Sequence, residues 1–315
     1  LRYFCLMEKV KNQKKAYLFA LLAILFWSTI SSAIKITLRY MAFEQMLLWS
    51  VLSGIVFLGI MNQTGKHALK LKHLTKKDFL SSALMGFFSP FMYYLVLFKA
   101  YDLLEAQIAG VLNYTWPIVL VLLSVPLLKQ KISFKSLLAI SISFLGILLV
   151  STRGHFETFR VLDPLGVSLA VGSAFFWALY WIFNMRDHRE DSGKILLNLI
   201  FGFFYILLYF LFRGKAPVFP DVKGIIGSLY IGSFELSFTY VIWLKALNYS
   251  KNVVRVSNLI YLSPFLALFW IQEAVGEAIH PFTIAGLTLI VLGIILQQVI
   301  QRKEDRVRSK NTLDY

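Results

Sequence analysis

Asn113-Tyr114-Thr115-Trp116-Pro117 interrupts an apolar run, from about 105 to 128, that is long enough to cross a bilayer. An amide, a phenol, a hydroxyl and an indole in succession are poorly suited to lipid, because polar groups in hydrocarbon cost free energy unless something satisfies them. They need a protein neighbour or a wet cavity. Pro117 has no N–H for the carbonyl of Asn113 four residues back, and its ring crowds that same carbonyl. The segment therefore predicts a kinked membrane helix with a freed acceptor. Met once, it reads as a tolerated proline kink beside interface aromatics. The chain repeats it, with Asn258 and Tyr261 ahead of Pro264.

Composition agrees with a membrane reading. Of 315 residues 58% are hydrophobic and 16% charged, where an ordinary soluble domain has about a quarter charged. Apolar runs follow one another with short polar joints and leave no room for a sizeable aqueous module, so the fold class is all-α and polytopic. The formal charge of +15 does not point to nucleic acid, since the basic residues sit in the joints, where topology explains them. Cys5 is the single cysteine, which excludes an intramolecular disulfide and a cysteine metal site. The first apolar run, Ala16 to about Ile34, is too long for a signal peptide and has no clear small-residue cleavage site. It reads as a retained span, with Met7 as the natural start and Cys5 ahead of it.

Ten helices are expected, at about 16–34, 43–61, 79–99, 105–128, 134–152, 163–184, 194–212, 223–245, 252–272 and 281–301. With the N-terminus in the cytoplasm, the cytoplasmic segments collect about three quarters of the 32 Lys and Arg, among them Lys66, Lys70, Lys72, Lys129, Lys131, Arg186, Arg302 and Lys303. Both termini are thus expected to be cytoplasmic. Residues 1–15 form a cytoplasmic segment, and 302–315 a polar tail expected to be disordered or to lie at the membrane surface.

The halves repeat. A shift of 146 places Ser82 on Ser228, Gly86 on Gly232, Phe88 on Phe234, Tyr94 on Tyr240, Lys99 on Lys245 and Ala100 on Ala246. A shift of 147 brings Tyr114 onto Tyr261, Pro117 onto Pro264, Leu145 onto Leu292 and Gly146 onto Gly293, and Phe26-Trp27 answers Phe176-Trp177. Two five-helix repeats follow, 16–153 and 163–301. An odd number of spans in each makes the second enter the membrane inverted, which is the usual basis of alternating access, with binding near the midplane where broken helices meet.

These residues resemble the ten-helix EamA-type carriers of the drug/metabolite transporter superfamily: Trp27 and Trp177, the Tyr-x4-Lys-Ala ends of the third and eighth helices, the Pro-broken fourth and ninth, and the Leu-Gly of the fifth and tenth. The 113–117 segment also looks like the Asn-Tyr-Leu-Trp-Pro of bacterial aromatic amino acid exporters, from which Thr115 departs. That resemblance implies a central cavity lined by Tyr93, Tyr94, Tyr114, Trp116 and Trp177. Lys129-Gln130-Lys131 stands where the family commonly has a glutamate, while the second half keeps Glu277.

Transport needs a site that suits the substrate in two states rather than a reactive group. Tyr and Trp offer flat apolar contact with a polar handle, and their faces attract ammonium groups. Besides the five aromatics above, Tyr240 and Tyr261 are candidates, with Asn113 and Asn258 to hydrogen-bond a carboxylate or amine or to hold helices together. Tyr180 and Trp181 could join that cavity, but with Trp27 they read first as packing or interface aromatics. Glu235 is the one acid well inside a span, in Gly232-Ser233-Phe234-Glu235. An ionisable residue at that depth is a functional candidate, either for the substrate amine or for a coupling proton. Lys35, Glu44, Lys99, Glu105, Asp163, Arg255 and Glu273 lie near span ends and are expected to snorkel. Ala139, Gly146, Gly286 and Gly293 permit close helix approach, within a protomer or in a homodimer.

The expectation is a secondary carrier in the inner (plasma) membrane that exports small organic metabolites, foremost aromatic or neutral amino acids. The alternatives are organic-cation or drug efflux and a membrane sensor that moves nothing. No cofactor or metal is expected. No Gly-x4-Gly-Lys-Ser/Thr loop occurs, and all five histidines fall in joints or at span ends, which argues against ATP drive and against an intramembrane enzyme.

Overall fold

Helix starts along the chain carry the side chains that satisfy their free N–H groups. Asn12 Oδ1 accepts from Lys15 N at 3.0 Å, and Asp163 Oδ1 accepts from Gly166 N at 2.8 Å. Thr75 and Asp78 form a reciprocal capping box. Between these caps the apolar runs are helical. The computed structural model describes residues 11–64, 74–128, 132–155, 163–184, 187, 189, 191–251 and 253–313. Arg2, Cys5, Met7, Lys66, His67, Lys70, Lys72, His73, Lys129, Gln130, Lys131, Arg186 and His188 lie outside them.

Ten helices among the described residues are long and apolar enough to span a membrane. They are α1 Gln13–Thr37, α2 Phe43–Gln63, α3 Lys76–Leu103, α4 Ala106–Leu127, α5 Phe134–Thr152, α6 Pro164–Asn184, α7 Ser192–Phe212, α8 Val222–Tyr249, α9 Arg255–Val275 and α10 Pro281–Glu304. They match the ten expected runs in order and nearly in extent. The chain is an all-α, multi-pass membrane protein.

Both expected breaks are present. In α4 the regular helix ends at Asn113 and resumes at Trp116. In α9 a tight 3-10 turn over Leu259–Leu262 precedes a new helical stretch with Pro264 in its first turn. A second pair of irregularities was not expected. A wide turn at Phe87–Met92 interrupts α3, with Ser89 extended at φ −148°, ψ 125°, and another at Ile231–Phe238 lies in α8. In α3 the cause is Pro90, which cannot donate to Gly86 O and crowds it. In α8 the Ser237 hydroxyl lies 2.8 Å from the Gly232 carbonyl and 3.2 Å from that of Gly54, holding the loosened turn against α2.

The helices gather into two compact units, Leu1–Phe91 with His188–Gly276, and Met92–Asp187 with Glu277–Tyr315. In the first, α1 packs on the later part of α8 and on α9, and α2 packs on α7 and on the wide turn of α8. Its small residues Ala16, Ala20 and Ala23 meet Ile242, Trp243 and Ala246. In the second, α6 packs on the later part of α3 and on α4, while α5 runs along α10. The neighbours of α1 and of α6 thus correspond under the repeat.

Small residues set the tightest crossings. A Cβ on Gly232 would lie 2.2 Å from Ser50 O, and one on Gly146 would lie 2.5 Å from Gly286 O. The small residues of α5 and α10 are therefore used within one protomer.

Several polar residues near span ends, expected to snorkel, have partners within the protein. Glu44 is buried and 3.5 Å from Lys215 Nζ, Lys99 pairs with Asp102 at 2.7 Å, and Glu105 pairs with Arg153. Asp163 serves as the cap described above. Each found a partner, so hydrophobic depth alone did not decide its direction. The tail also differs: the last helix continues to Leu313 instead of ending near 301. Its Arg, Lys and Glu are good helix formers.

Candidate functional site

In the second unit the break in α4 is tied to aromatic residues of α3 and α6. Asn113 Oδ1 accepts from the Tyr93 hydroxyl at 3.1 Å, and Asn113 Nδ2 donates to Ser173 Oγ at 2.9 Å. Tyr93 stacks on Trp177 with centroids 4.6 Å apart and planes 25° from parallel. Trp177 stacks in turn on Tyr180 at 5.6 Å and 17°. Tyr94 meets the edge of Tyr93 at 4.6 Å, and Trp181 stands at 89° to Trp177. One connected group therefore runs from the amide at the helix break to the end of α6.

Exposure divides this group. Tyr93, Tyr94, Trp177 and Tyr180 are buried, at 4%, 1%, 8% and 5% exposure. They are a rigid backing. Trp181 and Asn113 are half-buried, as are Tyr114 and Trp116 at the adjoining break, and these side chains keep exposed surface. Asn113 already serves two partners, so its main effect is to hold the Tyr93 phenol and the α6 backbone region near Ser173 in register with the break.

The start of α4 is fixed as firmly. Glu277 takes the N–H of Ala106 on Oε1 at 2.8 Å and that of Gln107 on Oε2 at 3.2 Å, a carboxylate on the positive end of a helix. Gln107, 1% exposed, accepts from His280 N and Thr283 Oγ1, both at 3.0 Å, and donates to Ala278 O at 2.9 Å and Glu105 Oε2 at 3.0 Å. The broken helix is thus held at its first turn and at its break, with Thr115 buried between the two halves.

The first unit holds the repeat-related residues. Tyr240 meets the edge of Trp27 at 5.7 Å, and Trp27 packs on Trp243 at 5.5 Å. Phe26 stacks on Phe234 at 4.5 Å, beside the half-buried Glu235 in the wide turn of α8. Tyr261 is buried in the 3-10 turn of α9, whereas Asn258 is exposed. An apolar groove of about 330 Å³ also lies in this unit, lined by Trp49, Phe57, Ile60 and Leu229 with Ser228 and Ser233 at its wall. Its walls come mainly from α2 and α8.

Of the expected site residues, the structure brings Tyr93, Tyr94, Asn113 and Trp177 into one contact group, with Tyr114 and Trp116 at the adjoining break. Tyr240, Tyr261, Asn258 and Glu235 lie in the other unit. Ser173 was not anticipated, and Tyr180 and Trp181 were set aside as packing. Their positions four before, three after and four after Trp177 on one helix were the available signal.

Comparison with known proteins agrees with this architecture. Residues 14–152 and 164–297 each match the EamA-like transporter family. An uncharacterized transporter of Clostridium kluyveri is 25% identical over 309 residues, covering 94% of this chain and 97% of the relative. An uncharacterized transporter of Archaeoglobus fulgidus is 22% identical over 299 residues, covering 90% and 98%. A solved crystal structure shares the fold with a TM-score of 0.62 at 20% identity, covering 93% of this chain and 99% of that one. With both halves matched, the chain belongs to the EamA-like transporter family and is a membrane transporter, not an enzyme.

Proposed function

We propose that the protein exports aromatic or other neutral amino acids across the cytoplasmic membrane by alternating access, with both termini in the cytoplasm. The observation that carries the substrate class is the aromatic group anchored on the α4 break. Buried Tyr93 and Trp177 stack beside the half-buried Trp181, and half-buried Tyr114 and Trp116 flank the break itself, all rings with a polar handle. Such rings accept flat or apolar side chains, and their N–H and O–H groups meet the polar end. Asn113 positions them. Tyr240, Asn258, Tyr261 and Glu235 are proposed to play the corresponding part in the first unit, the breaks at Pro117 and Pro264 allowing each helix to change direction.

The test is uptake of radiolabelled amino acids into proteoliposomes, beside Trp116→Ala. Saturable flux of an aromatic amino acid that falls at least roughly tenfold in the variant is expected, the loss of one aromatic contact with its burial amounting to about 1.4 kcal/mol or more. Absence of flux for every amino acid would overturn the substrate class. A second reading, efflux of an organic cation, has Glu235 in its favour, since an acid at bilayer depth attracts positive charge. Flux of a quaternary amine with none of phenylalanine would select it.

A further inference from the structure

The polar end of the aromatic group lies on α6. Trp181 follows Trp177 by one turn, with ring centroids 5.9 Å apart and perpendicular, and meets Tyr180 at 6.3 Å. Its indole N–H is sealed from solvent and has no hydrogen-bond partner among the described residues. Asn184 Oδ1, three residues further on, is in the same condition. Residues three, four and seven apart share a helix face, so Trp177, Trp181 and Asn184 place a donor and an acceptor in line with the stacked rings.

Buried polar groups are nearly always paired, and an unpaired one bears its full desolvation penalty. A tryptophan of the interfacial belt turns its N–H toward headgroups. That of Trp181 is enclosed by protein, so the belt role does not account for it. We propose that Trp181 Nε1–H and Asn184 Oδ1 are the polar subsite for an α-amino acid: the indole donates to the carboxylate, and the amide oxygen accepts from the ammonium. One donor and one acceptor on the same helix face match a zwitterion. An amine without a carboxylate leaves the indole N–H unpaired, and an acid without an ammonium leaves Oδ1 unpaired. Sites built on such pairs reject analogues that lack one partner far better than apolar pockets reject a missing methylene. This assignment rests on the amino acid reading above and supplies its polar half.

The full chain in lipid nanodiscs, labelled with ¹⁵N-tryptophan, gives indole resonances from seven tryptophans. The spectrum of Trp181→Phe identifies that of Trp181. Titration with L-phenylalanine or L-leucine is expected to move the Trp181 resonance, whereas phenethylamine, which lacks the carboxylate, leaves it in place. Asn184→Leu is expected to weaken the L-phenylalanine response by roughly fivefold or more without altering that to 3-phenylpropionate. A Trp181 resonance unmoved by either amino acid, or moved equally by phenethylamine, overturns the subsite. Flux in proteoliposomes separates the two claims. Movement of the Trp181 signal without amino acid flux sinks the carrier reading and leaves the subsite standing. Flux with an unmoved signal does the reverse.

Discussion

Glu235 is the residue whose position asks most of its surroundings. An acid near the middle of a membrane helix costs about 2.5–3.5 kcal/mol by insertion scales, and such residues persist where they serve a partner or a pathway. Glu235 lies in the loosened turn Ile231–Phe238, half-buried beside Phe234. Its repeat counterpart, Ser89, lies in the corresponding turn of α3 and carries no charge. The two positions correspond under the repeat but are chemically unlike, and Ser89 alone is extended. Glu235→Gln keeps the shape and abolishes titration. If Glu235 carries the coupling proton, an imposed pH gradient stimulates flux by the native protein and leaves the variant at its ungradiented rate, measured between about pH 6 and 8. A variant that retains the full response to the gradient removes Glu235 from the coupling step. Asn113 and Glu277, by comparison, hold neighbouring side chains and a helix start.

Among the elements, the crossing of α2 and α8 brings two backbones into close contact. Gly232 brings the two backbones so close that a methyl group would stand 2.2 Å from Ser50 O and 2.6 Å from Ser53 Cβ. Gly59, also on α2, has nothing within 4 Å of such a methyl. Gly232→Ala should lower the thermal unfolding midpoint in detergent, since forcing atoms into a packed crossing costs about 1–3 kcal/mol. Gly59→Ala should leave the midpoint unchanged or raise it, alanine being about 1 kcal/mol better in a helix. Equal effects of the two substitutions would show that this crossing does not limit stability. The contrast also marks what the sequence made legible. Ten apolar runs were visible because the bilayer imposes their length, and the breaks at Pro117 and Pro264 because proline declares itself. The turn in α8 has no proline. It depends on Ser237 reaching Gly232 and Gly54, contacts that exist only after α2 and α8 have met. The environment of Trp181 was illegible for a similar reason. A tryptophan near a span end looks like an interface anchor until packing shows that its N–H is enclosed.

At the scale of the whole molecule the repeat has a consequence that the helices alone do not. The units do not coincide with the halves of the sequence: α1 and α2 join α7, α8 and α9, while α4, α5 and α6 join α10, and α3 changes unit at its break between Phe91 and Met92. Residues from both repeats thus build each unit, which ties the two halves into one transporter and makes an independently folded half an unfavourable product. The proposed orientation rests on charge. The joints assigned to the cytoplasm carry most of the Lys and Arg, and this bias sets topology when the loops are short. Two single-cysteine variants in a Cys5→Ser background put it to the test. Lys215→Cys lies between α7 and α8, and Lys251→Cys lies between α8 and α9. A membrane-impermeant maleimide applied to intact cells should label the first within minutes and the second only after lysis. The reverse pattern would place both termini outside and turn the proposed exporter geometry around, whereas equal labelling of both in intact cells would contradict α8 as a full crossing.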